Sequence, residues 1–298
     1  MLDELEPLYY ERAADGLPLH VRAASALRRF DNRLVVVQDD VLALAARADS
    51  GAVEPVLLPD HPSGRRVFDD TLGNKREKLD LEACVTLPDG KLVAFGSGST
   101  PVRERLVVWN GRDAPEVVAA PPFYRAVRAA VTRGAARLNI EGAVVCGARL
   151  LLMHRGNDAR GVSAIAELDR DEFAACLANG SRSPRVARVT TVDLGDIGGV
   201  PFGFTDAVAL DDERVVVLAC AEATRSAVSD GPVLGCRVGL LDAAGIVTAD
   251  IHDAAGRTLL KLEGIERRPG SSIEFDVVAD VDSPSTPAQI GRLVWDWR

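Results

Sequence analysis

The chain has 298 residues, 47% hydrophobic and 27% charged, with 35 Lys and Arg against 44 Asp and Glu and a formal net charge of −9. That balance suits an ordinary globular protein. The lack of any long Lys/Arg run excludes a polyanion-binding surface, so nucleic acid is not an expected partner. No stretch approaches the roughly 18 consecutive apolar residues of a membrane span, and the acidic start Met1-Leu2-Asp3-Glu4 does not read as a signal peptide. A cytoplasmic monomer without membrane contact is therefore expected. Cys84, Cys146, Cys176, Cys220 and Cys236 show no C-x-x-C spacing and read as small buried hydrophobes in a reducing compartment.

In chain order, Pro7 to Arg12 reads as an outer strand lent to the last repeat, after a frayed start at Leu2 to Glu6. Ser25 to Phe30, a turn at Asp31-Asn32 and Arg33 to Val37 make a first hairpin, and Val53 to Leu58 follows. Glu82 to Leu87, the turn Pro88-Asp89-Gly90 and Lys91 to Phe95 repeat the plan, followed by Arg105 to Trp109 and Glu116 to Ala119. A short helix is expected within 123–136. Glu141 to Cys146, Arg149 to Met153 and Val162 to Leu168 lead to a second short helix over Asp169 to Leu177 and then Val186 to Val192. Asp206 to Leu210, Arg214 to Leu218, Val233 to Leu241 and Ile246 to Ile251 form the next set. In the last, a strand begun at Glu263 breaks at Pro269-Gly270 before Ile273 to Val278 and Gln289 to Trp297. Short apolar runs bounded by Asp, Asn, Gly and Pro are hairpin signals.

One phrase recurs through this series. Lys78-Leu79-Asp80-Leu81-Glu82-Ala83 matches Arg137-Leu138-Asn139-Ile140-Glu141-Gly142 position for position, and Lys261-Leu262-Glu263-Gly264 is a shorter copy. Phe204-Thr205-Asp206-Ala207 is read as the fourth, with Asp206 in the acid's place and Ser25 in the first unit. Long-period self-similarity means a repeat architecture, and four antiparallel strands per repeat is a propeller blade. The expected fold is all-β: one domain over residues 1–298, a five-bladed β-propeller closed by an N-terminal strand. A sixth blade would have to be split out of residues 40–80, where only one hairpin is visible.

The phrases Asn139-Ile140-Glu141-Gly142 with Arg149 to Gly156, and Leu262-Glu263-Gly264-Ile265 with Val277 to Asp280, resemble the "EG" blades of bacterial β-propeller proteins related to the phytase-like (esterase-like) family. The whole chain resembles a bacterial family of that kind. The likeness covers residues 20–298 at the level of repeats and implies the fold more strongly than the chemistry.

The first strand of each blade lines the channel, so Glu82, Glu141, Asp206 and Glu263 are expected to converge at its mouth. All-oxygen ligands suit Ca²⁺ or Mg²⁺; the alternatives are acids that tie neighbouring blades and a metal-free polar site. Strand two returns to the same level, which adds Asp39, Ser97, Ser99, His154, Arg155, Glu222 and Asp280, with Asn157, Asp158 and Arg225 beside them. Gly96-Ser97-Gly98-Ser99-Thr100-Pro101-Val102-Arg103 offers hydroxyls and a guanidinium to a small anionic ligand, and Lys78 adds positive charge. Two functions fit: a divalent-cation-dependent hydrolase of phosphoesters or esters, and a non-catalytic ligand-binding or protein-interaction propeller.

Overall fold

Five four-stranded antiparallel sheets follow one another round a ring in the computed structural model, which describes all residues but 133–136, 157–161, 180–182, 224–230, 254–255, 257–259 and 298. After β1 (Leu2–Pro7), blade one holds β2 (Ala24–Phe30), β3 (Arg33–Gln38), β4 (Ala43–Ala48) and β5 (Val53–Leu57). Blade two holds β6 (Leu81–Thr86), β7 (Leu92–Gly96), β8 (Arg105–Trp109) and β9 (Glu116–Ala119), and helix α1 (Pro121–Val131) leads on. Blade three holds β10 (Ile140–Cys146), β11 (Arg149–His154), β12 (Ser163–Asp169) and β13 (Val186–Val192), with α2 (Arg170–Asn179) between its last two strands. A small hairpin, β14 (Asp196–Ile197) and β15 (Val200–Pro201), precedes blade four: β16 (Gly203–Ala209), β17 (Val215–Glu222), β18 (Val233–Asp242) and β19 (Gly245–Asp250). Blade five holds β20 (Lys261–Arg267), β21 (Glu274–Asp280) and β22 (Gln289–Val294).

The expected five blades and N-terminal closure are present, but a different segment closes the ring. β1 pairs with β22, with Leu2 opposite Leu293 and Pro7 opposite Gln289. Leu2 and Leu5 both pack into the core between blades four and five; they are three residues apart, and the bulge between Asp3 and Glu6 brings them to that one face. Pro7 ends the strand, and Leu8 and Tyr10 instead enter the core between blades five and one. The closing strand thus lies five residues earlier than the expected Pro7 to Arg12, because Leu2 and Leu5 supply its buried face and Pro7 ends it.

Five hydrophobic clusters occupy the five blade interfaces. Val35 and Leu44 of blade one meet Leu81 and Leu92 of blade two. Phe95 of blade two meets Ile140 and Leu152 of blade three, over which α1 and α2 lay Phe123 and Phe173. Val144 and Met153 meet Phe204 and Val217 across the next interface, then Leu218 and Val238 meet Ile265 and Phe275. Val278 and Ile290 meet Leu27 and Val36 across the last. Each blade is thus buried on both sides, which the near-continuous apolar runs of the second strands record. Cys220 and Cys236, opposite each other on β17 and β18, form a disulfide, while Cys84, Cys146 and Cys176 are buried thiols outside it. The expectation of five reduced thiols is corrected for that pair. No helix among the described residues is long and apolar enough to cross a membrane.

Candidate functional site

Every inner strand skips one residue in its pairing with strand two, at the same place. Ala24 and Ala26 pair across Ser25; Leu81 and Ala83 across Glu82; Ile140 and Gly142 across Glu141; Phe204 and Asp206 across Thr205; Leu262 and Gly264 across Glu263. A β-bulge leaves one residue unpaired and re-aims it. Here it assigns Ser25, Glu82, Glu141, Thr205 and Glu263 to one repeat position. Asp206 is therefore not the fourth member expected from sequence; it lies one residue further along, where the other blades carry Ala or Gly. That position is tight: a Cβ on Gly264 would come 2.6 Å from the Leu27 nitrogen, and one on Gly142 would come 3.1 Å from the Asp206 Cα.

Asp206 faces a different partner. Arg28 of blade one donates to the carbonyls of Cys84 at 2.8 Å and Ala143 at 3.2 Å, contacts Ile265 O and Glu266, and pairs with Asp206 at 3.2 Å. One guanidinium so touches all four other blades. Burial pushes the Asp206 carboxyl up to about 7, against Arg28 and the backbone N–H groups of Ile265, Ala207 and Leu27.

Strand two returns to the mouth where Asp39, Ser97 and Arg155 donate their N–H to Ala23, Asp80 and Asn139. Asp280 lies opposite Lys261, and Cys220 opposite Gly203, so Cys220 takes the repeat position proposed for Glu222. Glu222, two residues on, still reaches the mouth. The predicted Asn157, Asp158 and Arg225 lie outside the described residues.

Two charge networks result. In the first, Lys78 bridges Asp39 and Asp80, the latter at 2.7 Å. Arg103 adds a 2.7 Å pair to Asp80, which Ser97 also bonds; Ser97 meets Ser99, and Ser99 accepts from Arg103. The Gly96–Arg103 segment thus grips Asp80, which sits at positive φ, 56°. Asp80 belongs to the repeated phrase itself and was passed over for Glu82. Asp39, Asp80 and Glu82 each bring one oxygen within 4.8 Å of the others, a spacing that suits a metal ion. Burial first, then Asp80, Glu141 and Asp39, push the Glu82 carboxyl well above its usual range.

In the second network Arg155 pairs with Glu222 at 2.8 Å and Glu141 at 3.5 Å, and Lys261 pairs with Glu222 at 3.0 Å and Glu263 at 2.5 Å. Asn139 donates to Glu141, and His154 Nδ1 holds the Asn139 backbone at 3.1 Å. Although burial opposes ionisation, Arg155 and Lys261 hold Glu222 down at about 2. Burial and Asp282 raise Asp280 to about 7. A cleft of about 440 Å³ lined by Pro232, Val233, Leu260, Lys261, Asp280 and Asp282 opens beside this network.

A family model described as a family of unknown function (DUF6929) matches residues 20–294. The chain belongs to the DUF6929 family. No curated protein matches it. Among solved structures it is similar to a GH43 β-1,3-galactosidase, at 8% identity and TM-score 0.58, over 98% of this chain and 61% of that one. It is similar also to a putative glycoside hydrolase from Parabacteroides distasonis, at 10% identity and TM-score 0.50, over 92% and 87% of the two chains. The Neurospora crassa Pan2 WD40 domain matches at 10% identity and TM-score 0.40, over 90% of this chain and 64% of that one. The DUF6929 chain thus spans less than two thirds of the galactosidase and of the Pan2 domain. At these identities the likeness shows the fold alone.

Proposed function

We propose that this DUF6929 protein is a hydrolase of small phosphoesters or esters, working at the channel mouth with a divalent cation, Ca²⁺ or Mg²⁺. The observation that carries this is a charge imbalance. Among the described residues, the seven acids Asp39, Asp80, Glu82, Glu141, Glu222, Glu263 and Asp280 share four cations, Lys78, Arg103, Arg155 and Lys261. Buried carboxylates in excess must take up protons or a cation.

The donor set fits a cation. Asp39 Oδ1 is buried without a hydrogen-bond partner among the described residues, and Asp39, Asp80 and Glu82 are all hard oxygen donors. Asp39, Asp80 and Glu82 would hold the ion, which when bound polarises an ester or phosphoryl oxygen and acidifies water. Arg103, whose Nε is likewise unpartnered among the described residues, would hold the anionic part of the substrate. Ser97 and Ser99 keep Arg103 and Asp80 in place.

The non-catalytic reading has its own support, because several pairs join neighbouring blades: Lys78 to Asp39, Arg155 to Glu222, Lys261 to Glu222. The two readings separate in an assay of p-nitrophenyl phosphate and p-nitrophenyl acetate, with Mg²⁺ or Ca²⁺ and with chelator. Cation-dependent turnover that Glu82→Gln lowers at least tenfold supports the hydrolase. No turnover of either ester leaves the carboxylates as ligand contacts or blade ties.

A further inference from the structure

Arg103 leaves one edge of its guanidinium unused. Among the described residues it bonds Asp80 at 2.7 Å and Ser99 at 3.0 Å, both through Nη1. Its Nε is buried without a partner. Nε and Nη2 point the same way and form the fork with which arginine grips two oxygens of one anion. Arg22 shows such a fork filled, since its Nε and Nη2 both reach Asp40 Oδ2, at 2.8 and 2.5 Å. Holding Asp80 accounts for Nη1 of Arg103 but not for the idle edge, and a buried donor without an acceptor is rare in a folded chain.

That edge stands beside the candidate cation site. Asp80 accepts from Arg103 and also belongs to the trio with Asp39 and Glu82, whose oxygens lie within 4.8 Å of one another. The guanidinium is thus one carboxylate away from the ion that the trio would hold. The Gly96–Arg103 turn is fixed from outside by α1. Arg128 donates to Gly98 O at 2.7 Å, and the Tyr124 hydroxyl lies 2.9 Å from Gly96 O. Tyr124 packs so closely that a Cβ on Gly98 would meet its Cδ1 at 2.5 Å. Within the turn, the Gly98 N–H donates to Arg103 O at 3.3 Å. A donor held in place before its ligand arrives loses little freedom on binding. The Arg103 side chain is 18% exposed, so an entering group can reach it.

We propose that the Nε–Nη2 edge of Arg103 is the phosphoryl subsite of the mouth, and that the substrates are phosphate monoesters and not carboxylic esters. The proposal rests on the cation-dependent hydrolase reading for its chemistry, while the anion contact stands on Arg103. A neutral ester brings one carbonyl oxygen and no charge, which leaves the fork unmatched. A carboxylate has two oxygens and uses both on the fork. A phosphoryl group has three: two for Nε and Nη2 of Arg103, and one for the ion held by the trio, the shared oxygen that divalent cations favour in phosphate sites. In the reaction a water oxygen bonds to phosphorus while the P–O bond to the alcohol breaks. One proton of that water passes to the alcohol oxygen, and the other stays on the phosphate. Inorganic phosphate keeps both contacts and so reports the subsite without turnover.

Calorimetric titration of the full chain with inorganic phosphate, and separately with acetate, in saturating Mg²⁺ tests this. The comparison is Arg103→Lys, which keeps a positive charge beside Asp80 and loses the fork. Wild type should bind phosphate at least tenfold more tightly than acetate. Arg103→Lys should weaken phosphate at least tenfold while still taking up Mg²⁺. Acetate bound as tightly as phosphate, phosphate bound equally well by Arg103→Lys, or no phosphate heat in wild type would each overturn the proposal. Phosphate bound through Arg103 without turnover of p-nitrophenyl phosphate upholds the subsite and removes the hydrolase reading. Turnover of p-nitrophenyl acetate without phosphate binding keeps a hydrolase and overturns the subsite. If Arg103→Lys does not fold, the wild-type contrast between phosphate and acetate decides.

Discussion

Arg28 of blade one and Asp206 of blade four form an ion pair 3.2 Å long across the ring, with side chains 9% and 0% exposed. Because Arg28 also reaches carbonyls of blades two, three and five, it acts as a tie through the centre of the propeller. Removing one member of a buried pair leaves the other uncompensated, at roughly 3–5 kcal/mol. Arg28→Met should lower stability by about that much in urea or guanidinium unfolding. The double variant Arg28→Met/Asp206→Asn should lose less than the sum of the two single losses. Additive losses would mean that the two residues do not stabilise each other.

The small residues after each bulge predict a steric effect. Gly264→Ala should cost about 1–3 kcal/mol, because its methyl would meet the Leu27 nitrogen at 2.6 Å and Ala26 C at 2.8 Å, and backbone cannot step aside cheaply. Gly270→Ala is not its equivalent, since nothing lies within 4 Å there and the cost comes only from φ +76°. Thermal unfolding of the two variants should show the larger loss for Gly264→Ala.

The ends of the chain predict a graded loss. Deleting residues 1–6 removes the strand beside β22 and the burial of Leu2 and Leu5. Deleting 1–10 also removes Leu8 and Tyr10, which are 2% and 4% exposed. Each buried large apolar side chain contributes roughly 1.5–3 kcal/mol, so the longer deletion should be worse by several kcal/mol, and both should aggregate through the opened edge. Equal melting temperatures for the two truncations would show that Leu8 and Tyr10 do not support the last interface.

The mouth predicts an unusual pH dependence. Asp280, at about 7, and Glu82, raised well above its ordinary range, bind protons more tightly folded than unfolded. Their contribution is fully present below the unfolded carboxylate range and is lost as pH rises through the folded values. Without divalent cations the melting temperature should therefore rise on going from pH 8 to pH 5.5. Glu222, at about 2, acts the other way, but only at the acid end as pH falls from the unfolded value near 4.5. With saturating Ca²⁺ the slope above pH 5.5 should flatten, because the ion replaces the protons. A melting temperature that falls between pH 8 and 6 without cation would contradict this.

Much of this was legible because a repeat states its position several times. The blade count followed from the recurring hairpins, and the mouth from Glu82, Glu141 and Glu263 sharing one phrase. The misplacement of Asp206 has a physical cause: Leu81-Glu82-Ala83, Ile140-Glu141-Gly142, Leu262-Glu263-Gly264 and Ala24-Ser25-Ala26 end on a small residue, whereas Phe204-Thr205-Asp206 does not, so only the bulge in the strand pairing sets the register there. Asp80 carried a signal in the same phrase but was read as context for Glu82. Arg28 gave none: its partners lie 56 to 238 residues away, and only the closed ring brings them together. The Cys220–Cys236 pair was equally hidden, because its spacing of 16 reflects the loop between β17 and β18 and not a motif.

The central claim is that the mouth carboxylates await a cation, and the melting shift on adding one tests it most directly. Calorimetry of the chelator-treated wild type at pH 7.5, with Ca²⁺ or Mg²⁺ at a hundredfold excess over the dissociation constant, should show stabilisation by about 2.7 kcal/mol per site. Glu82→Gln should lose part or all of that shift. An unchanged melting temperature with both ions, in wild type and variant alike, would contradict the account and leave the acids as ties between blades.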